Sequence, residues 1–275
     1  MRASSEAALA TARQTLAGGV EHDADAAATV ARQLFEFSDL VAEHPKLAAA
    51  LTDPMRSADA HEALATELFG EVAPVTKQVI AAAVRQRWSE PADLAEAAER
   101  LGVLAVAYHA RATDNVEHLQ RELFEIVQTL RDHRELRVTL GRRSDLDLVQ
   151  RTRLAKQLFA GKVSDDALLL LNRGLAKAQT MPVRMTLMGY CEDIAAIDGA
   201  LVANVRVATE PTPEQLERLH RVLTAKLGRE VLLNVATRPD LVGGMRVSVG
   251  STIYDGTIRS AIEDAEQTLA GKARA

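Results

Sequence analysis

The sequence predicts a mainly α protein, with two tandem duplicated helical bundle units followed by a small α/β C-terminal domain. Of its 275 residues, 47% are hydrophobic but only 3% are aromatic. Such a core must pack Ala, Leu and Val at close range, which favours helices over β-sandwiches. A helical pattern also repeats along the chain, whereas the last quarter alternates branched and polar residues. These observations divide the chain into residues 1–110, 111–198 and 199–275.

An internal duplication defines the two helical units. Matched residues recur at a nearly constant offset, which drifts by single residues as it would after insertions in loops. The pairs include Leu34 and Leu123, Phe35 and Phe124, His44 and His133, Leu51 and Leu140, Leu64 and Leu154, Phe69 and Phe159, and Pro91 and Pro182. Four of the five phenylalanines belong to such pairs, so we infer that one helical unit was duplicated.

Each unit contains an apolar stripe with the i, i+4, i+7, i+11 spacing of one helix face. The stripes are Val30, Leu34, Phe37 and Val41 in the first unit, and Leu119, Leu123, Ile126 and Leu130 in the second. Residues 97–110 are predicted to form the last helix of the first unit. Their Ala-rich sequence also resembles the opening helix of the chain, so this helix could belong to both units.

The last quarter begins with a predicted strand at residues 201–208, followed by a helix. Thr212 should cap this helix, because Pro213 takes the first helical position and Gln215 completes a capping box. The apolar stripe of the helix consists of Leu216, Leu219, Leu223 and Leu227. Gly228 is placed to end it.

Two further strands are predicted at residues 230–237 and 245–249, joined by a turn at residues 239–244. A final helix should start at about Thr257. The predicted order of the C-terminal domain is therefore strand, helix, strand, strand, helix.

An ordered set of residues in this domain resembles the tail of a known family. In chain order the set is Leu227, Gly228, Val231, Pro239, Val242, Gly243, Gly244, Gly250, Asp255, Gly256 and Thr257. It is similar to the delta subunit of F-type ATP synthases, which is called the oligomycin-sensitivity-conferring protein in mitochondria. Residues 44–47 and 64–69 also resemble that family's helical bundle, as do residues 133–136 and 154–159 of the second unit. The second unit departs in having Arg134 where a proline is expected. The extra unit resembles the duplicated delta chains of actinobacteria.

The resemblance implies a non-catalytic peripheral-stalk (stator) subunit that needs no cofactor. In the family, the helical bundle binds N-terminal helices of the alpha subunits on the catalytic head, and the C-terminal domain holds the b-type stalk. This link couples proton-driven rotation to ATP synthesis, and it places the chain at the cytoplasmic face of the cell membrane through the complex. We expect residues 1–110 to carry the alpha contact, with residues 111–198 as the rival.

The candidate site residues are the family-motif positions of the stalk-binding domain. They are Gly228, Pro239, Gly243, Gly244, Gly250, Asp255, Gly256 and Thr257. We interpret the glycines as structural, because a residue without a side chain offers a partner little beyond its backbone. Gly243 and Gly244 should adopt positive φ at the turn into Met245, and Gly256 should do so before the final helix.

Charge and composition restrict the possible partners. The formal net charge is -5, with 33 basic and 38 acidic side chains interleaved, so the basic face typical of nucleic-acid binding is missing. The sequence contains neither the apolar run of a membrane span nor the N-terminal pattern of a signal peptide. Cys191 is the only cysteine, which excludes an internal disulfide and fits a reducing compartment.

No motif in the sequence predicts catalysis. Gly161 and Gly271 each precede a lysine but lack the upstream glycine of a phosphate-binding loop. His61 opens a zinc-protease-like sequence, but Ala65 occupies the position of the second ligand. Cys191 lies in an apolar helical segment, which is typical of a small buried hydrophobe. An enzyme is therefore the weakest interpretation, and a helical-repeat adaptor outside ATP synthesis is the main alternative to the stator.

Two polar features have a structural interpretation and a functional one. The matched residues His44 and His133 are expected to cap helix ends rather than to act in catalysis. Residues 131–153 are rich in arginine, with Asp and Glu interspersed. They are predicted to form a solvated face, with the docking of an acidic partner as the alternative.

We predict that the purified chain neither hydrolyses nor binds ATP, because the sequence contains no phosphate-binding loop and no catalytic cluster. Equilibrium dialysis with radiolabelled ATP and a phosphate-release assay would measure both properties. Saturable binding at micromolar ATP would contradict the prediction.

Overall fold

The chain forms two compact units in the computed structural model. The residues that the structure describes are 1–238, 241, 243–250 and 252–257. The first unit contains residues 1–123 and 134–194, and the second contains residues 124–133 with the described residues from 195 onward. Helices dominate, and a small sheet lies near the C-terminus. The predicted fold class, mainly α with a small α/β domain, is confirmed.

The helices form two successive series. The first series is α1 (Ala3–Val20), α2 (Ala24–Glu43), α3 (Pro45–Leu51), α4 (Ala58–Leu68), α5 (Pro74–Val84) and α6 (Ala92–Ala112). The second series is α7 (Val116–Asp132), α8 (Arg134–Thr139), α9 (Leu148–Phe159), α10 (Asp165–Ala176) and α11 (Val183–Ala195). Helices α2 to α6 recur in the same order as α7 to α11, in agreement with a duplication.

Matched residues occupy matched places in the two series. Pro91 directly precedes α6, and Pro182 directly precedes α11. His44 lies between α2 and α3, as His133 lies between α7 and α8. The carbonyl oxygen of Leu40 accepts from His44 N over 3.1 Å and also lies 2.9 Å from His44 Nδ1, so both the backbone and the side chain of His44 bind the last turn of α2. The predicted capping role is confirmed for His44.

Helix α6 is the most buried helix of the first helix series. It packs most extensively against α2, and it also contacts α1 and α10. Gly102 of α6 faces the ring of Phe35 of α2, where a Cβ would lie 2.5 Å from Phe35 Cε1. Glycine therefore permits this close approach. Helix α6 begins at Ala92, earlier than the predicted residue 97, and its contacts with both series support the interpretation that it belongs to both.

A buried ionic network connects α6 with the second series. The guanidinium of Arg173 in α10 donates through Nε to Glu99 Oε1 over 3.2 Å and through Nη1 to Asp39 Oδ2 over 2.6 Å. Tyr190 Oη donates to the same Glu99 Oε1 over 2.6 Å. Although burial alone would lower the pKa of Arg173, its hydrogen bonds to Asp39 and Glu99 raise that pKa above its usual value. Arg173 also lies over the Phe35 ring, 4.5 Å from its centroid.

A second network joins α1, α6 and α11. Asp193 Oδ1 accepts hydrogen bonds from Arg13 Nη2 over 2.8 Å and from Arg100 Nη2 over 2.7 Å. The side chain of Asp193 is only 9% exposed, so the two arginines compensate a buried carboxylate. Neighbouring residues of α6, Glu99 and Arg100, thus each hold a residue of the second helix series.

Cys191 lies in α11 and is buried. Burial raises the pKa of its thiol to about 12, so the thiolate is disfavoured. The interpretation of Cys191 as a small core residue agrees with both observations.

The C-terminal domain contains a four-stranded sheet and one described helix. The strands are β1 (Leu201–Val207), β2 (Val231–Thr237), β3 (Gly244–Val249) and β4 (Thr252–Thr257), and the helix is α12 (Pro213–Leu227). The order in the sheet is β2-β1-β3-β4, with β1 parallel to β2 and antiparallel to β3, and β3 antiparallel to β4. Helix α12 connects β1 to β2, as a parallel pair requires, and packs against β2.

The start and end signals of α12 are confirmed. Thr212 Oγ1 accepts from Gln215 N over 3.3 Å, and Thr212 N donates to Gln215 Oε1 over 2.9 Å, which completes the capping box. Pro213 takes the first helical position, and Gly228 ends the helix with a φ of 66°. Leu219, Leu223 and Leu227 of the predicted stripe pack into the domain's core.

Strand β4 was not predicted from the sequence. Asp255, Gly256 and Thr257 were assigned to a turn and a helix start, but they end β4 instead. Gly256 does not adopt the predicted positive φ, since it pairs with Met245 in an extended conformation. The helix expected after Thr257 lies outside the described residues.

Replacing Arg173 by Met should lower the free energy of unfolding by about 3 kcal/mol, because Glu99 would lose its principal counter-ion while it stays buried. Urea unfolding followed by circular dichroism would measure the change. Arg85, which pairs with Asp59 and Glu62 at an exposed site, supplies the control. Arg85→Met should leave the unfolding midpoint unchanged, and equal effects of the two changes would contradict the prediction.

Candidate functional site

The motif residues of the C-terminal domain lie at the two ends of its sheet. Gly228 precedes β2 and Gly250 follows β3, and the strand register brings these positions to one end. Gly244 and Thr257 are paired at the other end, next to Gly243, which lies at the bend before β3. Pro239 lies outside the described residues. The motif therefore does not form a single cluster.

Three motif glycines adopt positive φ. The angles are 66° at Gly228, 81° at Gly244 and 54° at Gly250. Residues with a Cβ rarely adopt this region, so these glycines determine how the chain enters and leaves its strands. The structural interpretation is supported for these three residues.

Asp255 is the only charged residue of the motif, and it forms a cross-strand ion pair. Its Oδ2 accepts from Arg246 Nε over 2.8 Å and also from Arg246 Nη2. Arg246 and Asp255 are directly opposite each other on β3 and β4, where opposite charges stabilise strand pairing. The sequence motif identified Asp255 but gave no indication of its partner.

The two faces of the sheet differ in chemistry. One face packs against α12 through a core of Ala203, Val205, Val207, Leu223, Val231, Val247 and Val249. Because side chains alternate along a strand, Asn204, Asn234, Arg246 and Asp255 lie on the opposite face. Asn234 Nδ2 donates to Asn204 Oδ1 over 2.6 Å across β1 and β2. The same alternation places Val202, Leu232 and the exposed Ile253 on this face, so it carries both polar and apolar groups.

The helical part of the chain exposes apolar side chains unevenly. Those of the first series are Leu40, Met55 and Leu68, and those of the second are Val138, Leu148, Val149, Leu169, Met181 and Met185. Scattered exposure is normal, but the greater number in the second series indicates where a partner could bind. Sequence patterns did not identify these residues.

The described residues contain no group of three or more His, Cys, Asp or Glu side chains arranged to hold a metal ion. His61 is buried, and its Nε2 has no hydrogen-bond partner among the described residues. Within the same part of the chain, none of the helices combines the length and the apolar character needed to span a bilayer.

Comparison with known proteins gives a consistent result. The family model described as ATP synthase delta (OSCP) subunit matches residues 103–269. The chain is 35% identical over 272 residues to the ATP synthase subunit delta of Beutenbergia cavernae, an alignment that covers 98% of this chain and all of the relative. It is 34% identical over 267 residues to that of Kineococcus radiotolerans, which covers 97% of this chain and 96% of the relative.

A third relative, the ATP synthase subunit delta of Nocardioides sp., is 35% identical over 249 residues, or 89% of this chain and 88% of the relative. These alignments run through both helix series and the α/β domain, so the extra helical unit is shared with these relatives. The match to the family model and the extent of the alignments together establish the relationship. The chain belongs to the ATP synthase delta (OSCP) subunit family.

Proposed function

We propose that this chain links the catalytic head of an F-type ATP synthase to the b-type stalk, so that the head does not turn with the rotor. The observation that carries the proposal is the family match together with alignments over nearly the full chain. Members of this family are structural subunits of the peripheral stalk and not catalytic. A free-standing helical adaptor is disfavoured, because a fold alone does not carry the ordered C-terminal motif.

The second helical unit is the better candidate for the contact with the alpha subunits. The family model begins at residue 103, so a contact common to the family should be carried by the residues after that point. The larger number of exposed apolar side chains in the second series agrees with this assignment. Both observations weigh against the expectation that residues 1–110 carry the main contact.

The α/β domain, which begins near residue 199, is the proposed docking site for the stalk. The sheet face that carries Asn204, Asn234 and the Arg246–Asp255 pair offers hydrogen-bonding groups to a partner. Two modest contacts on one chain reinforce each other through effective concentration. A chain that holds the head at one unit and the stalk at the other therefore resists rotor torque better than either contact alone.

The same proposal places the chain at the cytoplasmic face of the cell membrane. The family belongs to a membrane-associated complex, and no described helix of this chain is suited to cross a bilayer. Attachment through other subunits accounts for both observations.

A paired substitution, Met181→Glu with Met185→Glu, should weaken binding of an alpha-subunit N-terminal peptide about tenfold or more, because apolar anchors carry much of the energy of a helix-in-groove contact. Both side chains are exposed, so folding should be preserved. Isothermal titration calorimetry with the full-length chain would measure the dissociation constant.

The matched control for this experiment lies in the first helix series. Leu40→Glu with Leu68→Glu changes two exposed residues there and should leave the affinity unchanged. Loss of binding in the control, with normal binding in the first variant, would return the assignment to residues 1–110.

Gly244→Val should disrupt the α/β domain and abolish stalk binding while head binding persists. A β-branched residue held at a φ of 81° costs on the order of 1 to 3 kcal/mol, which is a large share of the stability of a small domain. Pull-downs against a soluble b-type stalk and, separately, against the catalytic head would measure both contacts.

Met245→Val is the control for Gly244→Val, since it adds a β-branched residue at the next, exposed strand position. It should bind both partners normally. If Gly244→Val also held the stalk as tightly as the parent chain, either Gly244 would not be strained or the α/β domain would not be the stalk's docking site.

A further inference from the structure

Each helix series contains a buried basic side chain at the same helical position. Ser57 caps α4 and Asp147 caps α9, and the fourth helical residue is His61 in α4 and Arg151 in α9. His61 is 5% exposed and Arg151 is 4% exposed. His61 Nε2 and Arg151 Nε both lack a hydrogen-bond partner among the described residues. The two matched positions therefore both carry a buried, incompletely satisfied nitrogen.

The guanidinium of Arg151 is poorly compensated. Its Nη1 donates to the carbonyl oxygen of Leu140 over 3.4 Å, which is long for a hydrogen bond. No carboxylate pairs with it among the described residues. A buried charge without a counter-ion is costly. The site would be completed by a carboxylate, whose two oxygens match the guanidinium fork.

The surface around Arg151 is basic and partly apolar. We define the α8–α9 surface as residues 134–153. Its exposed arginines without an ion-pair partner among the described residues are Arg134, Arg142, Arg143 and Arg153. Its exposed apolar side chains are Val138, Leu148 and Val149, which are 46%, 41% and 66% exposed. The hydrogen bond from Arg151 to Leu140 joins the end of α8 to the first turn of α9, so these groups belong to one region.

The matched region of the first series, residues 45–63, is different. It contains two basic and three acidic residues, whereas the α8–α9 surface contains six arginines and three acidic residues. Its one arginine and its three carboxylates are paired, because Arg56 contacts Asp53 over 3.6 Å and Arg85 contacts both Asp59 and Glu62. Within these two regions, arginines without an ion-pair partner among the described residues therefore occur only in the second copy, and Lys46 is the one such cation in the first.

We propose that the α8–α9 surface docks an acidic, amphipathic segment of another subunit of the complex, with one carboxylate of that segment paired to Arg151. The inference rests on the proposed function, since it deepens the partner contacts of the stator. Arginine and apolar residues together are typical of protein interfaces, and unpaired exposed arginines steer an acidic partner to the site. The chain's net charge of -5 argues against a general polyanion-binding role.

A charge-reversal variant tests the exposed part of the surface. Full-length chain with Arg142→Glu, Arg143→Glu and Arg153→Glu should bind the remaining ATP synthase subunits about tenfold or more weakly at low salt, and its affinity should depend less on salt. The matched control, Lys46→Glu with Arg56→Glu in the first series, should bind like the parent chain. Equal affinity of the reversal variant and the parent would overturn the inference.

Arg151→Met separates docking from a structural role. Removal of an uncompensated buried charge should raise the melting temperature of the isolated chain, yet the same change should weaken assembly with the other subunits. If Arg151 had only a structural role, its replacement would change the melting temperature and the strength of assembly in the same direction. That result would overturn its role in docking.

Cross-linking identifies the occupant. Val149→Cys, labelled with a benzophenone maleimide in the assembled complex, should cross-link to a peptide of another subunit that has more acidic than basic residues. A peptide without this excess, or binding to anionic phospholipid vesicles that the reversal variant loses, would overturn the proposal. If the parent chain itself fails to co-purify with ATP synthase subunits, the proposed function fails as well, which distinguishes the two results.

Discussion

The buried carboxylate of Glu99 is the constraint on which the helical unit depends. It lies on α6 among apolar side chains, so it must be paired, and Arg173 and Tyr190 supply the pairing from α10 and α11. Burial and the Glu99 carboxylate raise the pKa of Tyr190 above its usual range, so the phenol stays neutral and remains a donor. The network therefore has one well-defined arrangement, and it determines how the second helix series packs on α6.

Helix α6 can hold both series because of the residues beside Glu99. Arg100 pairs with Asp193 of α11 and Arg13 lies against the same carboxylate, while Gly102 lets α2 approach closely. Small residues supply close packing, and charged residues supply specificity. A stator subunit must transmit torque without deforming. The buried ion pairs of α6 favour one partner geometry each, and they therefore make the packing of the helices more rigid.

The two helix series agree in the order of their helices but differ in surface chemistry, as two diverged copies of one unit would. Helices recur in the same order, and α4 and α9 both begin with a side-chain cap at the matched position, Ser57 and Asp147. The surface charge does not match. In residues 45–63 the one arginine and the carboxylates are paired, whereas four exposed arginines of residues 134–153 lack an ion-pair partner among the described residues. Divergence of surfaces on a preserved core allows one chain to take on distinct contacts within one complex.

The sequence by itself determined the features that depend on neighbouring residues. The helix stripes, the capping box of Thr212, the glycine that ends α12 and the duplication all follow from spacing over a few residues or from direct self-comparison. The family motif was visible for the same reason. Only the tertiary structure decided that residues 252–257 form β4. An Asp-Gly pair is typical of a turn, and the sequence does not show that Arg246 lies opposite Asp255 in the sheet. The tertiary structure also decided that Arg151 is buried within an exposed arginine-rich segment and that Glu99 meets Arg173, since burial and ion pairing depend on residues that are distant along the chain.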